Sequence, residues 1–117
     1  MSKNKAAPNC KIPFWLSARA DCKEGRFIQV GNSLLLSKKF QELSSGAQHL
    51  YICMAMESGG KRDFAFSKAT AKKYGISGST LLRRIEELER HGFIQKTVCG
   101  RITREKNQYI FSLTWRA

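Results

Sequence analysis

The chain has 117 residues, of which 21 are Lys or Arg and 9 are Asp or Glu, so its formal net charge is +12. This length suits one domain with a single core and excludes two, and an apolar content of 42% excludes a wholly disordered chain. The cationic excess favours a polyanionic partner, nucleic acid first and an acidic membrane second, over a surface charged only for solubility. Residues 61–117 hold 13 cations and 5 acids, against 8 and 4 in residues 1–60, so the C-terminal half is the more basic.

Three features argue against a metal site, a secreted protein and a membrane span. Cys10, Cys22, Cys53 and Cys99 include no closely spaced pair of the kind that structural zinc sites use. Residues 1–11 are polar and basic, with no apolar stretch behind them as in a signal peptide, and no run of 18 apolar residues occurs. We therefore expect an intracellular protein with reduced thiols, no cofactor, no membrane contact and no small-molecule ligand.

In chain order, residues 1–26 are predicted to form a basic, partly disordered arm, and residues 27–117 the folded domain. Residues 27–30 are predicted to form a short strand that ends at a Gly-Asn pair. Residues 34–43 fit a strand and a short helical turn equally well, because their apolar residues follow neither period clearly.

A helix is then predicted to begin at Ser45, because Ser45 and Gln48 have the spacing of a capping box. The Gly59–Gly60 pair predicts its end. Apolar residues that recur at helical intervals predict its buried face: Leu43, Ala47, Leu50, Tyr51 and Met54. Cys53 falls beside this face and is predicted to be a small core residue.

Residues 71–94 carry the most specific pattern of the chain, a helix, a tight glycine turn, a second helix and a glycine before a strand. The first helix is predicted over 68–74, and the second begins near Ser77 or Ser79 and runs to about His91. This order is typical of a helix-turn-helix, which presents its second helix to a DNA groove.

Strands are predicted at 64–66, 93–99 and 108–115, with a polar and basic hairpin tip at 100–107 between the last two. Strict alternation predicts one buried face on the last strand, formed by Tyr109, Phe111, Leu113 and Trp115. The whole order predicts an α+β fold of the winged helix-turn-helix kind, with a three-helix core, a small antiparallel sheet and a C-terminal β-hairpin as the wing.

The second motif helix is predicted to divide into two faces, because successive residues turn by about 100°. The core face is predicted to comprise Leu81, Leu82, Ile85 and Leu88. The face toward the major groove is predicted to comprise Thr80, Arg83, Glu87 and Arg90, flanked by Ser79. Arg83 is the expected base reader, because a guanidinium can donate two hydrogen bonds to a guanine edge, and Glu87 either accepts from cytosine or pairs with Arg83 or Arg84.

Further cations and hydroxyls are predicted to hold the DNA backbone. Ser77, Ser79 and Thr80 lie where free backbone amides at a helix start suit a phosphate. Arg84 is expected at the edge of the groove. The remaining phosphate contacts are assigned to Lys68, Lys72 and Lys73 on the first motif helix, and to Arg101, Arg104 and Lys106 at the hairpin tip. A solvated charged surface is the alternative for each of these groups.

Residues 27–51 contain L-S-x-x-A-x-x-L-Y, and residues 80–94 read T-L-x-R-x-I-x-E-L-x-x-x-G-F-I. The first of these segments resembles the N-terminal domain of plasmid replication initiators of Gram-positive bacteria. The other is similar to the recognition-helix segment of that group and of related mobile-element proteins. The resemblance covers about residues 27–116. It implies a winged helix, DNA binding through the second motif helix and wing, and a homodimer.

The initiators are longer and have a further C-terminal domain, so the expected role is a regulator or replication-associated factor of a plasmid or conjugative element. The partner is then double-stranded DNA in the prokaryotic cytoplasm. Two alternatives remain at this point, a winged helix that docks another protein and a factor that binds RNA. An enzyme is not expected, because neither His49 nor His91 lies beside a nucleophile or carboxylate in a recognisable arrangement.

Overall fold

A computed structural model of the protein describes Leu16, residues 26–98 and residues 108–116. Their fold is mixed α and β, as predicted. The elements in chain order are α1 (Asn32–Leu35), α2 (Lys38–Glu42), α3 (Ser45–Ser58), β1 (Asp63–Ala65), α4 (Lys68–Lys73), α5 (Gly78–Arg90), β2 (Ile94–Val98), β3 (Gln108–Phe111) and a final 3₁₀ turn (Thr114–Arg116). Helix α3 packs on α5 and β1, α4 packs on α5, and α5 packs on β2.

The three strands form one antiparallel sheet in the order β1-β3-β2. Strand β3 lies in the centre, where Tyr109 pairs with Phe64 of β1 and with Lys96 of β2. The register between β2 and β3 shifts between Lys96 and Val98, as at a β-bulge. Because Tyr109 and Phe64 stack at 5.8 Å on the face that α3 covers, the sheet and the helices share one core.

The prediction for residues 27–30 was wrong, because they belong to no strand. Residues 34–43, for which a strand and a short helical turn were both open, are helical and contain the end of α1 and all of α2. Phe40 of α2 is buried, whereas Leu35 and Leu36 are exposed. An apolar run alone does not determine the secondary structure, because strand formation also requires a neighbouring strand edge.

The N-cap of helix α3 lies one residue before the predicted one. The hydroxyl of Ser44, in place of Ser45, accepts a hydrogen bond from the Ala47 amide at 3.2 Å. The predicted partner, Gln48, donates its side-chain amide to the Phe40 carbonyl. The predicted buried face is confirmed, with Tyr51 partly exposed at its edge, and Gly59 ends the helix with φ 63°. Cys53 is buried on this face.

The last predicted strand is too long. Strand β3 ends at Phe111, Leu113 is exposed, and Trp115 lies in the 3₁₀ turn, where its ring stacks on Phe93 at 5.0 Å. The Thr114 hydroxyl donates to the Gly92 carbonyl at 3.1 Å, so the chain after β3 bends back over the end of α5. The alternation of aromatic residues therefore continues in sequence after the strand has ended.

The described part of the chain contains neither a helix that could cross a membrane nor a group of possible metal ligands. None of its helices has the length and apolar character that crossing a membrane requires. None of its His, Cys, Asp and Glu side chains form a group of three or more that could hold a metal ion.

Candidate nucleic-acid interface

Helix α4, the turn after it and helix α5 form a unit whose shape is set by local sequence. The Ser67 hydroxyl caps α4 by accepting from the Thr70 amide at 3.1 Å. At the other end, Gly75 has φ 79°, and the amides of Gly75 and Ile76 donate to the carbonyls of Lys72 and Ala71. This pair of bonds is a Schellman motif, which requires a left-handed residue and therefore favours glycine.

Helix α5 has a similar construction. Ser77 caps its start by accepting from the Thr80 amide at 3.3 Å, and the same hydroxyl donates to Thr80 Oγ1 at 2.9 Å. Gly92 has φ 83°, and the Phe93 amide donates to the Leu88 carbonyl in a second Schellman motif. Both predicted helix ends are thus confirmed, and Ser77 marks the start of the second helix.

The exposed face of α5 differs from the predicted one by a rotation of about one residue. Five exposed residues form what we call the outer stripe, namely Ser79, Leu82, Arg83, Glu86 and Arg90. On an ideal helix they occupy an arc of about 100°, so they form one continuous surface. Within the described residues, neither Arg83 nor Arg90 has an ion-pair or hydrogen-bond partner.

The prediction that Leu82 belongs to the core face was wrong. Leu81, Ile85 and Leu88 are buried as expected, but 48% of Leu82 is exposed. Thr80, predicted to face outward, is half-buried at the cap. The sequence places Leu81 and Leu82 next to each other, and only the position of α3 decides which of the two enters the core.

Arg84 and Glu87 turn toward α3 in place of the groove edge and groove face expected for them. The Glu87 carboxylate accepts from the Ser44 amide at 2.7 Å and from the Ser44 hydroxyl at 2.8 Å. Arg84 donates to the same hydroxyl at 2.9 Å, and a Cβ at Gly46 would lie 2.2 Å from the Arg84 Cζ. We call Ser44, Arg84 and Glu87 the inner triad.

The inner triad completes the start of α3. In a capping box, a Glu or Gln three residues into the helix binds the amide of the N-cap residue. Here Ala47 holds that position, and Glu87 of α5 supplies the carboxylate from another helix. Partial burial acts to raise the pKa of Glu87, but the two hydrogen bonds from Ser44 outweigh it and hold the pKa below its usual value. Sequence reasoning missed Ser44 in this role, because the partners are 43 residues apart.

The three lysines of α4 divide in the same way. Lys73 forms an ion pair with Glu57 of α3 at 2.8 Å, and Tyr74 donates to the same carboxylate. The hydrogen bonds from Lys73 and then Tyr74 lower the pKa of Glu57, while burial and the bond to Glu57 raise the pKa of Tyr74 to about 12. Lys73 therefore serves the α3–α4 contact and is less available to a phosphate than expected.

Lys68 and Lys72 are exposed, and neither forms an ion pair within residues 26–98 and 108–116. The side chain of Lys68 runs beside Gly78, since a Cβ at Gly78 would lie 3.5 Å from the Lys68 Cδ. One α4 cation thus accompanies the start of α5, where the helix has free amides and the positive end of its dipole.

The predicted hairpin tip, with Arg101, Arg104 and Lys106, lies outside the described residues. The strands that lead into it, β2 and β3, are antiparallel neighbours. Strand β2 is tied to α5, since the Lys96 amide donates to the Glu89 carboxylate at 3.2 Å.

A cysteine–histidine contact and a surface groove are weaker candidates for a functional site. Cys53 Sγ lies 3.5 Å from His49 Nε2, but burial and the nearby Glu57 raise the pKa of the thiol, which disfavours the reactive thiolate. An open groove of about 870 Å³ lies between residues 26–29 and the end of α3. It is crossed by a hydrogen bond from Arg26 to the Met56 carbonyl.

Comparison of the chain with protein-family models, with curated proteins and with solved structures finds no match.

Proposed function

We propose that the protein is a winged helix-turn-helix that binds double-stranded DNA, with α5 as the helix that enters the major groove. The proposal is supported by the α4–turn–α5 unit with its two Schellman ends, by a β2–β3 pair directly after α5, and by the net charge of +12. The resemblance of residues 80–94 to the recognition segment of plasmid replication initiators is in accord with it.

One observation carries the proposal. Along α5, the exposed arc presents Arg83 and Arg90, which lack partners among the described residues, while the neighbouring Arg84 and Glu87 are used internally. A helix whose outer face carries guanidinium groups without a partner in the described part of the chain suits a ligand that has both hydrogen-bond acceptors and negative charge. The major groove of DNA, bordered by phosphates, has both.

The proposed contacts follow from this geometry. Arg83 reads a guanine edge, and Ser79 lies beside it at the start of the helix. Arg90, Lys68 and Lys72 contact phosphates, together with the amides at the start of α5 near Ser77 and Thr80. Arg101, Arg104 and Lys106 of the wing hold the flanking backbone.

The biological role proposed is that of a regulator or replication-associated factor of a plasmid or conjugative element. A homodimer would place two α5 helices about one duplex turn apart, so a palindromic target is expected. Selection of preferred duplexes from a random pool tests this expectation directly.

The test of the function itself is titration with random duplex DNA at 50 and 200 mM salt. If about six cations contact phosphates, affinity should fall roughly a thousandfold between the two concentrations. Lys68→Ala should weaken every duplex and reduce the logarithmic salt slope by about one unit. Lys39→Ala removes the same charge from α2, outside the α4–turn–α5 unit, and should change neither quantity. A folded protein that binds no duplex at 50 mM salt would refute the proposal.

A second function has one observation in its favour. The exposed Leu82 would suit a winged helix that docks another protein, in which case the surrounding charge is incidental. Binding of duplex DNA with a steep salt dependence decides against that function. Competition between duplex DNA and duplex RNA of the same sequence separates the third possibility, an RNA-binding factor.

A further inference from the structure

Leu82 is an apolar residue in the middle of a polar surface. The rest of the outer stripe consists of Ser79, Arg83, Glu86 and Arg90, and all five side chains are exposed. A single exposed leucine needs no explanation in general. This one shares a continuous arc with the proposed base reader Arg83, so whatever lies against Arg83 also lies close to Leu82.

The chemistry of the major groove restricts what an aliphatic side chain can contact there. Most atoms that the base pairs present in the groove are hydrogen-bond donors or acceptors, and the C5-methyl group of thymine is the apolar exception. A 5-methylcytosine presents the same methyl group. An exposed leucine that lies in the groove therefore makes a favourable apolar contact with a 5-methylpyrimidine. With other bases it gains little free energy.

On this basis, which rests on the proposed function, we infer that Leu82 is a specificity residue that packs on the C5-methyl group of a pyrimidine beside the base read by Arg83. The charge of the surface favours this occupant over an apolar protein surface. The cations Arg83 and Arg90 share the stripe, and neither is neutralised within the described part of the chain, so an apolar partner would have to bury or bypass both.

The test combines a methyl deletion on the DNA with a side-chain deletion on the protein. Duplexes are first selected with the wild-type protein from a random pool. Each thymine of the selected site is then replaced by deoxyuridine, which removes only the methyl group. At one position we expect the wild-type affinity to fall about fourfold, the equivalent of one buried methylene-sized group. With Leu82→Ala the same replacement should have no effect.

Two further arms identify the source of the methyl group and the role of the neighbouring residue. If the natural ligand is a methylated cytosine, replacing one cytosine by 5-methylcytosine should raise wild-type affinity by a similar factor and leave the affinity of Leu82→Ala unchanged. The matched control is Arg83→Ala, which should lose its preference for guanine but keep the response to deoxyuridine. Because Leu82 is exposed, its alanine variant should keep the wild-type melting temperature.

The possible failures are distinguishable. Equal deoxyuridine penalties for wild type and Leu82→Ala at every position would overturn the inference while leaving DNA binding intact, and a docking role for Leu82 would then be favoured. Loss of all duplex binding by a folded wild-type protein would overturn the proposed function, and this inference with it.

Discussion

The two sides of α5 carry nearly the same chemistry and have different fates. Arg83 and Glu86 lie on the exposed side, whereas Arg84 and Glu87, each one residue further along, contact the start of α3. A turn of about 100° separates each residue from its neighbour. This is enough to move a guanidinium from solvent to the Ser44 hydroxyl.

Residue type therefore does not identify the functional side of this helix. Both sides contain an arginine and a glutamate, so their charges alone do not show which side would contact DNA. Hydrogen bonding separates them, because Arg84 and Glu87 both bond to Ser44 at the start of α3. The Ser44 hydroxyl donates to Glu87 and accepts from Arg84 and from the Ala47 amide, so it has no capacity left for a ligand.

The largest expected effect is on stability, from the inner side. Glu87→Ala removes the acceptor of the Ser44 amide and leaves Arg84 without its anionic neighbour, so the free energy of unfolding should fall by about 2–3 kcal/mol. Glu86→Ala, one residue away on the outer stripe, should change it by less than about 0.5 kcal/mol. Urea denaturation of both variants measures this difference, and equal losses would show that the two sides of α5 contribute alike to stability.

The next effect is on recognition, from the outer side. Arg83→Ala should cost about 2 kcal/mol on the selected duplex, close to thirtyfold in affinity, while nonspecific binding and unfolding free energy stay near wild type. The matched variant Arg84→Ala should have a lower free energy of unfolding. Under conditions in which it is folded, it should keep the wild-type preference for guanine. Quantitative binding assays with guanine-substituted sites measure both, and an unchanged preference in Arg83→Ala would contradict its role.

A smaller effect tests the contact between Arg84 and α3. In the wild-type background, Gly46→Ala places a Cβ on the Arg84 guanidinium and should destabilise the protein by about 1 kcal/mol in spite of the better helix propensity of alanine. In an Arg84→Ala background the obstruction is gone, and the same substitution should stabilise by roughly 0.5–1 kcal/mol. Changes of equal sign and size in the two backgrounds would contradict a steric constraint of Arg84 on position 46.

The smallest effect is on the acid dependence of stability. The pKa of Glu87 is lower in the folded state than the ordinary value of 4.5, so the unfolded state takes up more protons as the pH falls. The stability from Glu87 is thus complete above about pH 4.5 and is lost as the pH falls through the lowered native value. Glu87→Gln and Ser44→Ala should both flatten this acid limb in denaturation measured from pH 5 downward. A limb as steep as that of the wild type in Glu87→Gln would exclude Glu87 as its source.

Local sequence determined much of this fold. The ends of α4 and α5 were predictable because a serine cap and a left-handed glycine each act on backbone groups within five residues of them, as at Ser67 and Gly75. The buried face of α3 was predictable because its apolar residues recur at helical intervals. They therefore form one face, which is buried whichever element packs on it. The α+β class follows from the same short-range signals.

Tertiary structure alone decided which residues of α5 face outward. The periodicity of the helix put Leu82 with Leu81 on the core face and Glu87 on the outer side, and the structure makes a different choice for both. The choice was made by α3, whose first turn offers free amide and hydroxyl groups to Glu87 and space above Gly46 to Arg84. Such a contact joins residues 43 positions apart, so no local pattern contains it, and its hydrogen bonds form only once the two helices have packed.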